Sequence, residues 1–183
     1  MKLAIFDMDS TLFNTNEINY NAYKKALEPF GVSLDYEFFC SNCNGRHYKV
    51  FLPVLLDDDL EKVEKVHNLK KQYYSKFLNK VKINSHLFEI INRIKENYKI
   101  ALVTTASKKN TMDILEFTNK KDVFDLILTS EDIKNAKPDP EGFLLAMKNF
   151  NANPSETIIF EDSNVGLDAA FKTNATVFKV EKF

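Results

Sequence analysis

The sequence predicts an α/β fold in which a parallel five-stranded sheet carries helices on both faces and a small all-helical segment is inserted near its start. Three observations carry this. Short apolar runs without polar alternation recur along the chain, as strands buried on both faces require. Stretches with apolar spacings of three and four separate them. Three of the runs end abruptly in polar or acidic residues, the pattern of open sheets whose strand ends line a crevice.

Leu3 to Phe6 is the first run, and Asp7 and Asp9 follow it. Two residues apart, these carboxylates leave an extended segment on the same side. Converging carboxylates repel unless a cation lies between them or one is protonated, so the pair points to a hard metal ion or a divided acid/base task. Taken alone, Asp-x-Asp at a strand end reads more readily as turn and cap chemistry.

After Thr15 the pattern becomes helical. Asn14 and Glu17 resemble a capping box, and Ile18, Ala22 and Ala26 share a face until Pro29 and Gly31 stop the run. Asn42 to Gly45 reads as a loop. Asp57-Asp58-Asp59 opens a second helix whose apolar positions run from Leu60 through Val66 and Phe77 to Val81. Residues 16–82 therefore form the helical insertion, and residues 1–15 and 83–183 form the core domain.

From Ser85 the order is helix, strand, helix, strand. Leu87, Ile90, Ile91 and Ile94 mark a helix, and Lys99 to Val103 is a strand ending in Thr104 and Thr105. Met112 to Phe117 is helical and Phe124 to Leu128 a strand. Lys137-Pro138-Asp139-Pro140 breaks the chain before a helix through Phe143 and Met147. Thr157 to Phe160 is a strand ending in Glu161-Asp162, with Ser163 as cap of the next helix. Ala175 to Val180 is the last strand.

The 183 residues suffice for one well-buried core plus a modest insertion. A net charge of −1 with scattered lysines gives no basis for nucleic acid or an anionic membrane as partner. No run approaches a membrane span, and four apolar residues before Asp7 are too few for a secretory signal, so a cytoplasmic protein is expected, as a monomer or weak dimer. Cys40, Cys43 and His47 have partial zinc-site spacing, but a structural zinc needs four ligands and neither His67 nor His86 is suitably spaced. Two reduced thiols are the simpler reading.

In a parallel sheet, the ends carrying Asp7 and Asp9, Thr104 and Thr105, and Glu161 and Asp162 share one edge. Lys137 lies in a Pro-flanked loop able to reach it. Carboxylates around an oxygen-preferring cation, faced by a hydroxyl and an ammonium, make a site for a phosphoryl group.

In this order, Phe6-Asp-Met-Asp-Ser-Thr11, Leu102-Val-Thr104, Lys137-Pro-Asp-Pro140 and Phe160-Glu-Asp162-Ser-Asn-Val-Gly166 resemble the four motifs of the haloacid dehalogenase superfamily. The insertion after the first motif resembles the cap of its beta-phosphoglucomutase and phosphatase branch. The resemblance covers essentially the whole chain and implies a Rossmann-like core. It implies Asp7 as the nucleophile that becomes an aspartyl phosphate, and Asp9 as the acid and base. Thr104, with Thr105 beside it, and Lys137 would bind the phosphoryl group. Mg²⁺ would be held by Asp7, Asp162 and the backbone carbonyl of Asp9, with Glu161 as a further candidate ligand.

A carboxylic acid at position 9 departs from the dehalogenases of the family and favours phosphoryl transfer. Asn19 stands about where beta-phosphoglucomutases carry a hinge histidine, which disfavours a mutase. Before Ser85 the family's common Pro-Gly is missing. The reading is a Mg²⁺-dependent phosphatase of a small phosphorylated metabolite, with a sugar phosphomutase, or a non-catalytic binding protein on the same fold, as competitors. In the insertion, Gly45 lies beside the segment's sole arginine, Arg46, which reads either as a guanidinium that grips a second polar or anionic group of the substrate or as a solvent-exposed arginine at the start of the helix through Val50 and Leu52.

Overall fold

Leu3, Ala4, Ile5 and Phe6 carry no polar side chain, so the strand they form can be covered on both faces, and all four are fully buried in the computed structural model. The structure describes residues 1–44, 46 and 48–181. Its strands are β1 (Leu3–Phe6), β2 (Phe13–Asn14), β3 (Lys82–Ile83), β4 (Lys99–Val103), β5 (Leu126–Leu128), β6 (Thr157–Glu161) and β7 (Thr176–Lys179). Five pair in parallel in the order β5-β4-β1-β6-β7. β1 is central, and the chain builds outward from it on one side before returning to build the other. Its carboxyl end therefore lies at the topological switch point, where open sheets of this kind bind ligands.

The helices are α1 (Asn16–Leu27), α2 (Tyr36–Phe38), α3 (Tyr48–Leu55), α4 (Leu60–Tyr74), α5 (Ser85–Ile94), α6 (Lys108–Phe117), α7 (Glu141–Asn149) and α8 (Asn164–Phe171). The chain divides into two compact units, Met1–Asn14 with Lys82–Phe183, and Thr15–Val81. In the first, Ile5, Val103, Phe143, Met147 and Ile159 belong to one buried cluster between sheet and helices. Each such side chain contributes about 1.5–3 kcal/mol by leaving water. Phe6, Phe160 and Phe178 stack across three neighbouring strands, with ring centroids 4.5 and 5.2 Å apart.

In the second unit α1 packs on α4 around Leu27, Phe39, Leu52 and Val66. Lys70 is buried there, its ammonium over the rings of Tyr23 and Tyr74 at 5.2 and 4.6 Å.

Several local expectations change. Asn14 does not open a capping box: it pairs with Lys82 in an antiparallel ribbon, and Thr15 takes the N-cap of α1. That ribbon, two residues on each strand, is too short to leave a periodic signal. Of the three aspartates expected to start α4, only Asp59 caps it, accepting from Lys62 N, while Asp57 and Asp58 take positive φ in the preceding turn. α4 stops at Tyr74 and a 3₁₀ segment, Ser75–Lys80, replaces its expected last turn. Leu60 is exposed rather than on the buried face. β5 starts at Leu126, because Asp125 turns its carboxylate to Ile100 N and Lys99. Asn42 lies in a π-helical turn, Phe39–Cys43, rather than in a loop, and Gly45 and His47 fall outside the described residues.

Candidate active site

The register brings the reactive strand ends level. Phe6 sits opposite both Leu102 and Phe160, so the next residues, Asp7, Val103 and Glu161, emerge side by side, and Asp7 N donates to Phe160 O at 3.0 Å. Beyond Asp7 the chain does not stay extended. Leu12 N and Phe13 N both return to Met8 O, Ser10 N donates to Phe13 O, and Ser10 takes φ 63°. This tight turn, not an extended strand, carries Asp9, which is half-buried.

Asp7 is buried and receives Lys137 Nζ at 2.5 Å. The same ammonium donates to Glu161 Oε2 at 2.6 Å and to Val103 O at 3.4 Å, and it lies 5.0 Å from the Phe143 ring centroid. Burial opposes the charge of Lys137, but Asp7 and Glu161 outweigh it and raise its pKa. Burial likewise pushes Asp7 well above the usual carboxylate range; Lys137 opposes that shift, and the negative charge of Glu161 adds to it.

Glu161 is fixed at both oxygens. Oε2 takes Lys137, and Oε1 accepts from Asp162 N, Ser163 N and Ser163 Oγ at 3.1, 3.0 and 2.8 Å. Ser163 Oγ in turn accepts from Gly166 N and caps α8, as its position before the apolar run led one to expect. Asp162, half-buried, accepts from Thr11 Oγ1 at 2.8 Å, and burial raises its pKa while that hydrogen bond holds it down.

Thr104 is buried just past β4; its oxygen accepts from Ala106 N at 3.0 Å, which leaves its hydroxyl proton to donate. Thr104, Lys137 and Asp139 line one small cavity, and exposed Thr105 reaches its rim. Arg46 is exposed in the other unit. The structure thus brings Asp7, Lys137, Glu161 and Asp162 together, with Thr104 alongside Lys137. Thr11 was quoted in the first motif but given no task; its one signal was a small hydroxyl residue in the turn after two carboxylates.

The donor set suits a hard divalent cation. Asp7, Glu161 and Asp162 each offer a carboxylate oxygen within 4.8 Å of the others, the sole such group among the described residues. Three carboxylates face one lysine, and both Asp7 and Asp162 are pushed towards protonation, the imbalance that a cation relieves. Among the described residues no helix is long and apolar enough to cross a membrane.

Comparison with known proteins bears on the family and the fold. The profile of the haloacid dehalogenase-like hydrolases matches residues 4–180. A phosphorylated carbohydrates phosphatase of Thermotoga maritima is 32% identical over 177 residues, spanning 93% of this chain and 80% of the relative. A beta-phosphoglucomutase of Clostridium difficile superposes over 100% of this chain and 85% of its own, with a TM-score of 0.75 at 28% identity. CbbY of Rhodobacter sphaeroides superposes over 100% and 88%, with a TM-score of 0.83 at 22% identity, which speaks to the fold alone. With its helical insertion after the first strand and its acidic strand ends, the chain belongs to the haloacid dehalogenase-like hydrolases, in their capped phosphatase- and phosphomutase-like branch.

Proposed function

We propose that the protein is a phosphatase that hydrolyses a small phosphorylated metabolite through an aspartyl phosphate on Asp7. The observation that carries this reading is a buried carboxylate at the end of the central strand, held by one lysine and grouped with two further carboxylates. The relative at 32% identity, itself a phosphorylated carbohydrates phosphatase, supports the same substrate class.

An oxygen of Asp7 attacks phosphorus as the ester P–O bond breaks, and Asp9 gives its proton to the leaving oxygen. Asp9, now a carboxylate, takes a proton from water, whose oxygen attacks phosphorus and releases Asp7 and inorganic phosphate. Lys137 restrains Asp7 and neutralises phosphoryl charge, and Thr104 donates its hydroxyl proton to a phosphoryl oxygen. Asp7, Asp162 and the carbonyl of Asp9 would hold Mg²⁺. When bound, it supplies positive charge that offsets the approach of an anionic phosphate to an anionic nucleophile. Glu161, with both oxygens engaged, is assigned to anchoring Lys137 and the start of α8 rather than to the cation. The helical unit is assigned to choosing the substrate, with Arg46 gripping a second polar or anionic group.

A sugar phosphomutase needs a phosphoryl acceptor other than water and well-placed proton exchange around it. Asn19, whose amide donates to Thr15 O at 3.2 Å and Thr15 Oγ1 at 3.3 Å, has no titrating group to offer, which favours hydrolysis.

A panel of phosphorylated metabolites and an aryl phosphate, run with Mg²⁺ and with EDTA, tests the proposal. Mg²⁺-dependent release of inorganic phosphate is expected; accumulation of an isomeric sugar phosphate, or full activity without divalent cation, overturns it. Arg46→Ala should lower kcat/KM for the preferred metabolite and leave the aryl phosphate nearly unchanged.

A further inference from the structure

Three segments far apart in sequence meet beneath the candidate cation site through two side chains. Thr11, completely buried, spends its hydroxyl on Asp162 Oδ1, 151 positions away, at 2.8 Å. The carbonyl of the same Thr11 accepts from Asn84 Nδ2, 73 positions away, at 3.0 Å. Asn84 is itself buried. Its Oδ1 caps α5 by accepting from Leu87 N at 3.2 Å, and its backbone N donates to Leu12 O at 2.9 Å. The β2–β3 ribbon separates these contacts from the points where the chain passes into the helical unit.

Neither side chain is explained by local structure. Capping α5 needs only one acceptor oxygen, which serine, threonine or aspartate would supply equally. Asparagine adds a donor at the same point, and that donor is used on Thr11. At position 11, valine would fill the same buried volume; the hydroxyl adds only the bond to Asp162. Fixing one carboxylate oxygen sets the plane of the group and so the position of the other oxygen.

We propose that Thr11 and Asn84 are positioning residues for Asp162: Asn84 fixes the Thr11 backbone against the base of the ribbon, and Thr11 holds the carboxylate in the orientation that receives a divalent cation. This rests on Asp162 being a cation ligand, and it adds two residues that never touch cation or substrate. Outer partners of this kind change metal affinity by roughly 10- to 100-fold when removed.

The test measures Mn²⁺ binding, by electron paramagnetic resonance of free Mn²⁺, on the full chain without substrate. Melting temperatures are recorded alongside. Thr11→Val, which keeps the volume, should raise the Kd about tenfold or more, and Thr11→Ser should restore it to within about threefold of the parent. Asn84→Ser keeps the helix cap and lacks the reach to Thr11 O; it should raise the Kd about tenfold while the melting temperature stays close to that of the parent. Parent-like affinity in Thr11→Val, or Thr11→Ser as weak as Thr11→Val, overturns the role of Thr11. Parent-like affinity in Asn84→Ser overturns that of Asn84. Failure of the parent protein to bind Mn²⁺ at all is a separate result, which removes the cation reading of Asp162 itself.

Discussion

The carboxylate of Glu161 occupies the space in which a side chain at Gly166 would begin: a Cβ built on Gly166 would fall within it. Glycine is present here not for an unusual backbone angle but to let the start of α8 close over a buried anion. Inside a helix, Gly→Ala ordinarily stabilises by up to about 1 kcal/mol. Here Gly166→Ala should do the reverse, lowering the melting temperature and cutting turnover at least tenfold as Glu161 is pushed off Lys137. A thermal melt together with a kcat measurement checks this; a rise in melting temperature at unchanged kcat would falsify it.

Lys137 compensates two buried carboxylates, so its removal should be costly. Lys137→Met leaves Asp7 and Glu161 without a cation and should destabilise the fold by about 3–5 kcal/mol near neutrality. Because the pKa of Lys137 is raised in the folded protein, its contribution is complete below the unfolded value, near 10.5, and is lost as pH rises through the higher folded value. Urea denaturation across pH should show this alkaline loss in the parent and a smaller loss in Lys137→Met. Identical alkaline limbs in the two proteins would rule the pairing out as its source.

Asp162 has the opposite sign. Burial raises its pKa, so without a cation it costs stability above its folded value, and the cost fades as pH falls until the group is protonated both folded and unfolded. Asp162→Asn keeps an acceptor for Thr11 and sheds the charge. Without divalent cation at neutral pH its melting temperature should exceed the parent's by about 2 °C, a gap that narrows towards pH 4. Added Mg²⁺ should raise the parent's melting temperature and leave the variant's unchanged. Equal responses of the two proteins to Mg²⁺ would take Asp162 out of the ligand set.

Asp7→Asn preserves shape and removes the nucleophile, and turnover should fall to background while the fold persists. Asp9→Asn should also be severely slow, but with substrate present intact-mass spectrometry should find a phosphorylated chain, because the base that activates water is gone. Substantial turnover by Asp7→Asn with Asp9 intact would exclude a covalent route through Asp7.

The strands beneath the site were legible because a strand buried on both faces permits no polar residue, and Leu3–Phe6 and Lys99–Val103 announce themselves in that way. The gathering of Asp7 and Asp162 was legible from order alone, since parallel strands put all their carboxyl ends on one edge, whereas Lys137 comes from a loop that order only allowed to reach that edge. Different kinds of information were missing elsewhere. Glu161 and Asp162 are adjacent acids that read alike in sequence, and only the distribution of donors separates an oxygen pair held by Lys137 and Ser163 from one held by Thr11. Asp9 leaves the expected line because the chain turns there, with Leu12 N and Phe13 N returning to Met8 O and Ser10 in the left-handed region that is uncommon for residues other than glycine. Asn84 appeared only as a departure from Pro-Gly; its two bonds join residues that no window along the chain contains.

The β2–β3 ribbon pairs Phe13 with Ile83 and Asn14 with Lys82, so the whole of Thr15–Val81 leaves and re-enters the first unit through neighbouring residues. In polymer terms the ribbon is the closed neck of a loop. The entropy of closing a flexible loop grows only logarithmically with its length, about 0.6 kcal/mol for each doubling. Lengthening or shortening the segment beyond the neck therefore costs the five-stranded sheet very little. Sequence change beyond the neck can proceed by insertion and deletion as readily as by substitution, while Phe13, Asn14, Lys82 and Ile83 must keep their register.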